Sequence, residues 1–142
     1  MNTTKWKNIL NKFFQFNEYF ELAQLFNDCT AYKISIEYLD KAIELSTYLP
    51  INKNRLVKAY ELRGNSKIFL NNYQESILDF SKAIELDPKN SFLYFGRGMC
   101  YEYLNQNEKA LKNLKISLML DPKFSLALSM IDYLENEKNI WL

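Results

Sequence analysis

Histidine is absent from the 142 residues, which removes the commonest general base near neutral pH and the commonest metal ligand. The Asp and Glu residues are spread as solvated helix faces, so the sequence reads as non-catalytic, with no metal and no cofactor. Glycine and proline occur only three times each, too few for a turn-rich β fold. The two cysteines, Cys29 and Cys100, lack the spacing of paired ligands; they read as core thiols in a reducing compartment, neither bridged nor catalytic. No apolar run approaches the ~18 residues a membrane span needs. Lys5, Lys7 and Lys12 interrupt the apolar positions at the N-terminus, so a signal-peptide core is missing as well. A cytoplasmic location is the expectation. Charge of one sign is also lacking: 18 basic against 17 acidic residues leave +1, which gives little grip on a phosphate backbone and argues against nucleic acid as a partner.

What the chain does have is apolar content and an internal repeat. With 48% hydrophobic and 25% charged residues it can bury a core and stay soluble as a single domain. Tyr60, Arg63, Gly64, Leu70, Asn71, Leu86, Asp87, Pro88 and Lys89 recur 34 residues later as Tyr94, Arg97, Gly98, Leu104, Asn105, Leu120, Asp121, Pro122 and Lys123. A period between roughly 20 and 50 residues signals a solenoid, and a solenoid offers a surface to a partner more readily than a reaction centre.

The repeat divides the chain. Residues 1–15 hold Trp6, Ile9, Leu10, Phe13 and Phe14 at helical spacing, with Thr3 or Thr4 as a possible N-cap. This amphipathic helix lies outside the repeat and reads as a cap, or as a helix that docks on a neighbouring molecule or a membrane surface, the last being the weakest reading because three lysines make no basic face. Residues 16–49 fit the repeat frame with Ala23 in place of the glycine. Residues 50–56 are an insertion of seven, about two helical turns, which predicts longer helices on either side of Pro50 and no floppy loop. Residues 57–90 and 91–124 form the second and third units. In each, an Asn-rich turn joins two helices and Asp-Pro stops the second, because proline lacks the donor and clashes with the preceding turn. Residues 125–142 read as a terminal capping helix with Leu128 and Ile131 at core positions. The total is about eight helices.

These residues resemble the tetratricopeptide repeat (TPR), most clearly from Tyr60 through Tyr73, Ser76, Phe80, Ala83, Leu86 and Pro88. The resemblance implies an all-α fold, a right-handed superhelical solenoid of helix–turn–helix pairs. Close packing explains Gly64 and Gly98, which each cost about 1 kcal/mol of helix propensity relative to Ala. They are expected to face Ser76 or Ala110, and Ala83 or Ser117, on the second helices.

The resemblance further implies a concave groove lined by the first helices, where a peptide or helix of a partner protein lies. Carried over residue by residue, it consists of Asn17, Phe20, Gln24, Asn27 and Asp28 in the first unit. The second supplies Lys58, Glu61, Asn65, Ile68 and Phe69, and the third Phe92, Phe95, Met99, Glu102 and Tyr103. The family's clamp for C-terminal carboxylates is not assembled: Lys58 and Asn65 match single elements, but Phe92, Gly96, Leu126 and Met130 stand where other members belong. Phe92, Phe95, Met99 and Tyr103 form one stripe on the side opposite Gly98, near Ile68 and Phe69. Either the chain's own terminal helices cover it or a partner does. The functional expectation is a non-catalytic protein-interaction module. The alternative is a self-associating structural protein, possibly a homodimer, held by Trp6, Phe13 and Phe14 or by the third-unit aromatics.

Overall fold

A computed structural model describes residues 3–140, and among them are seven α-helices and no strand. They are α1 (Thr3–Asp28), α2 (Tyr32–Ser46), α3 (Lys53–Phe69), α4 (Tyr73–Leu86), α5 (Ser91–Tyr103), α6 (Asn107–Leu120) and α7 (Ser125–Ile140). Three antiparallel pairs, α1/α2, α3/α4 and α5/α6, stack in order, and α7 packs on α6. The fold is an all-α repeat solenoid.

Seven helices replace the eight expected because nothing breaks the chain between Phe14 and Phe16. No glycine or proline intervenes, and α1 runs unbroken for 26 residues. Thr3 and Thr4 are helical residues of α1, so neither is its N-cap. The insertion divides unevenly. Four of its residues, Lys53–Leu56, lengthen α3 to 17 residues against 13 in α5. α2 gains nothing and stops at Ser46, and the connection to α3 is pinned by Leu49, buried against Phe16 and Ala42.

The pair-closing turns share one geometry. Thr30, Asn71 and Asn105 all have left-handed φ, at 60°, 61° and 56°. In each case two amide hydrogens fold back on the helix end: Asn72 N donates to Lys67 O at 2.8 Å and Asn71 N to Ile68 O at 2.9 Å. This double bond pattern satisfies carbonyls that the helix end leaves open. Asparagine tolerates the conformation, whereas β-branched threonine holds it under strain.

Small residues let the helices of a pair approach. Ser35 Oγ donates to Ala23 O, and Ser76 Oγ to Gly64 O, both at 2.8 Å across buried contacts. The neighbours that limit Gly64 and Gly98 are larger than expected. A Cβ on Gly64 would come within 3.2 Å of the Phe80 ring, and one on Gly98 within 3.1 Å of Leu114. Gly96, to which the repeat assigns no packing role, is tighter still. Its Cβ would overlap Cζ of Phe80 and stand 2.6 Å from Cε1. The Phe80 ring, 1% exposed, therefore sits between Gly64 of α3 and Gly96 of α5.

Arginines tie successive pairs together. Arg63 of α3 donates Nε to both Asp79 oxygens of α4 at 3.1 Å, and Nη1 to Asp40 of α2 at 2.6 Å. Lys67 adds a second cation to Asp79 at 2.9 Å, and that carboxylate is 2% exposed. Arg97, one unit on, makes the neutral version with Asn113 of α6 at 2.8 Å and Ser81 of α4 at 3.1 Å.

Ile131 is buried in the terminal core as expected, but Leu128 is exposed. The spacing that α7 presents to α6 is Ala127, Ile131 and Leu134, all buried, and Leu128 is one residue off it. Cys29 also departs from expectation. It lies exposed in the turn after α1, and only Cys100 is a core thiol. Burial pushes the Cys100 thiol from its ordinary 9.0 up to about 11, since low-dielectric surroundings disfavour the thiolate.

Three outcomes follow. Thr30→Asn should stabilise by ~0.5–1 kcal/mol by relieving a left-handed β-branched residue, read as a higher denaturant midpoint; an unchanged or lower midpoint would show that the turn carries no strain. At pH 8, Ellman's reagent should titrate Cys29 in the native protein and Cys100 only on unfolding. Above pH 9 the unfolded Cys100 thiol ionises while the folded one keeps its proton, so its contribution to stability should fall as pH rises from 9 towards 11.

Candidate functional site

The first helices of each pair, α1, α3 and α5, together with α7, place equivalent residues along one face of the stack. Following one position through the units gives Asn17, Lys58, Phe92 and Leu126. A second gives Gln24, Asn65, Met99 and Tyr133. The face is therefore polar towards the first pair and apolar towards the last. Phe92 and Leu126 are each 59% exposed.

Between α3 and α5 this face opens into a cleft of about 530 Å³, lined by Asn54, Val57, Lys58, Glu61, Asp87, Asn90 and Phe92. It brings together three of the residues singled out in sequence: Lys58, Glu61 and Phe92. Lys58 Nζ donates to Glu61 Oε1 at 3.0 Å, a pair one turn apart in which the lysine is exposed and the glutamate half-buried. Asp87 and Asn90 come from the α4–α5 connection, whose four residues are set by Asp-Pro, so the stop signal that ends α4 also supplies a wall. The cleft can offer hydrogen bonds and one ion pair beside an apolar ring. Among the described residues no cluster of His, Cys, Asp or Glu is placed to hold a metal ion.

The aromatic stripe of α5 is not one continuous surface. Phe92 and Phe95 meet Phe124, at 4.7 and 4.8 Å between ring centres, and Phe95 is half-buried against the α6–α7 core. The chain thus covers part of the stripe itself. Met99 is half-buried farther along α5. Tyr103 leaves the stripe to stack on Tyr73 at 4.7 Å. Phe69 stacks likewise on Tyr32 at 4.5 Å, and the two stacks occupy equivalent positions in successive units. Phe69 and Tyr103 thus join one pair to the next. Asn65 and Glu102 are half-buried on α3 and α5.

Three residues expected from the first unit have structural roles. Phe20 is buried in the core. Asn17 accepts a hydrogen bond from Arg55 of α3, and Asn27 accepts one from Ser66 Oγ at 2.9 Å. The long α1 makes these contacts possible, and the repeat frame says nothing of them. Asp87 enters the sequence reading only as part of a helix stop and Asn90 not at all; the recurrence of Asp-Pro-Lys ahead of a first helix was the available signal.

Family models described as tetratricopeptide repeat match residues 57–90 and 80–112. The chain is 30% identical over 80 residues to the small glutamine-rich tetratricopeptide repeat-containing protein 2 of Mycosarcoma maydis, covering 55% of this chain and 23% of that protein. It is 35% identical over 66 residues to the STIP1 homolog of Dictyostelium discoideum, covering 46% and 12%. The matched stretch is thus less than a quarter of either relative. Among solved structures, the first TPR domain of Spaghetti (RPAP3), bound to the HSP90 peptide SRMEEVD, superposes with a TM-score of 0.78 at 18% identity, covering 88% of this chain and 94% of that one. Repeat period, helix pairing, matched family models and superposition agree: the chain is a tetratricopeptide-repeat protein.

Proposed function

We propose that the chain is a non-catalytic protein-interaction module that takes an extended segment or helix of a partner protein along its concave face. The observation that carries this is the cleft between α3 and α5, where Lys58, Glu61 and Phe92 converge beside Asp87 and Asn90. A solved structure of the same fold holds a peptide, SRMEEVD, which supports a peptide-sized ligand. The chemistry here differs from a carboxylate clamp. Phe92 and Leu126 replace polar members of that clamp, so the ligand is better matched by an apolar end over Phe92 and Leu126 and a polar end over Lys58 and Asn65.

The test is selection of peptides on the immobilised protein, followed by fluorescence anisotropy. Selected peptides should lose at least ~10-fold in affinity, about 1.4 kcal/mol, on Phe92→Ala and on Lys58→Glu, with nearly unchanged thermal midpoints. SRMEEVD should bind no better than a scrambled control. Peptides indifferent to both substitutions, or tight binding of SRMEEVD, would contradict the reading.

A further inference from the structure

The first three turns of α1 extend past the start of α3. Arg55 of α3 lies level with Asn17 and Glu21 of α1, donating to Asn17 and standing 3.7 Å from Glu21. The first residue of α3, Lys53, is therefore near Gln15. Residues Thr3 to Phe14 run on past α3 for about 18 Å, at 1.5 Å per residue, with the α2–α3 connection against their other side, where Lys12 Nζ stands 4.6 Å from the centre of the Tyr48 ring.

That overhang has a bare face. Trp6, Leu10, Phe13 and Phe14 precede Asn17 by eleven, seven, four and three residues, so they continue the side of α1 that α3 covers lower down. Their exposures are 56%, 53%, 40% and 66%. Ile9, on the adjacent face, packs instead against the buried cluster of Phe16, Ala42 and Leu49. The bare face is a notch, with α1 as its wall and the start of α3 as its floor. A flat surface would meet the end of α3 before lying along the wall, whereas a helix in line with α3 would fill the space.

The stripe fits a copy of itself. Trp6 lies four residues before Leu10 and Phe14 four residues after it. An antiparallel partner with the two-fold axis at Leu10 sets each Trp6 against the other copy's Phe13 and Phe14. Aromatic side chains bury 150–250 Å² each, so the four exposed residues can withdraw on the order of 400 Å² per copy. That is roughly 800 Å² for the pair, before lysine stems and the ends of α3 add to it, and stable interfaces begin near 1,200 Å². Only Lys5, Lys7 and Lys12 are charged between Thr3 and Asn17, so like charges flank the pair and salt should relieve them.

We propose that the α1 overhang is a self-association surface, and that two chains pair through it as an antiparallel, two-fold symmetric dimer centred on Leu10. This dimer does not depend on the groove, and it leaves both concave faces open.

Sedimentation equilibrium from ~1 to ~500 µM should show the mass rising from 16.9 kDa towards twice that value. The association should tighten between ~0.05 and ~0.5 M NaCl. Leu10→Arg should leave a monomer with an unchanged circular dichroism spectrum. In a Cys29→Ser background, Leu10→Cys should oxidise to a covalent dimer, whereas Asn8→Cys, on the opposite side of the helix, should not. A monomer at every concentration, a dimer that survives Leu10→Arg, or species larger than two chains would each overturn the proposal. So would a monomer that sediments with phosphatidylserine vesicles and loses that binding with salt, which would assign the stripe to a membrane surface.

Discussion

The stack depends on one ring and the two backbones that close on it. Phe80 of α4 points into the joint between the second and third pairs, with Gly64 on one side and Gly96 on the other. Any side chain at Gly96 would occupy the same space as the ring, so α5 can reach its place only because that residue lacks a Cβ. The equivalent joints solve the same volume problem the other way. Leu39 belongs to the buried cluster at the first, against which Leu62 packs, and Leu114 to the cluster at the last, against which Met130 packs. Leu62, Gly96 and Met130 are one repeat position, as are Leu39, Phe80 and Leu114. A large residue on the second helix is matched by none on the next first helix, and a medium one by a medium one. Interiors packed to crystal density allow such exchanges of volume and little else.

Polar ties follow the same periodic logic around that apolar joint. Arg63 and Arg97 each reach their own second helix and the preceding one. Where Asp79 carries charge, Arg63 and Lys67 answer it; where Asn113 is neutral, a single arginine suffices. The stacked pairs Tyr32–Phe69 and Tyr73–Tyr103 repeat along another edge. With these contacts along its seams, the stack sets α5 beside α3, and the cleft with Lys58, Glu61 and Phe92 lies between them. Function on this scaffold is a matter of which residues the seams leave over.

Much of this was legible in the sequence because repeats state their packing more than once. Recurrence at a fixed offset carried the helix pairs, the Asp-Pro stops and the importance of Gly64 and Gly98. Features that occur once did not show. Gly96 has Leu62 and Met130 at its equivalent positions, so the repeat offers no reason for it until Phe80 is seen against it. The uninterrupted α1 depends on the lack of a breaker near Gln15, which a repeat frame starting at Phe16 disguises. Of the expected groove, Lys58, Glu61 and Phe92 converge on the cleft. Phe20 and Asn27 were drawn into the core and the α1–α3 contact, because spacing gives the face of a helix and not the neighbour that covers it.

The central claim is that complementary volumes at Phe80 and Gly96 set the approach of the second and third pairs, and a double-mutant cycle in chemical denaturation tests it most directly. Gly96→Ala should destabilise by about 1–3 kcal/mol, although helix propensity alone favours Ala by about 1 kcal/mol. Phe80→Leu should recover part of that loss in the double variant, giving a coupling of at least ~1 kcal/mol. A more stable Gly96→Ala protein, or strictly additive effects of the two changes, would contradict the account.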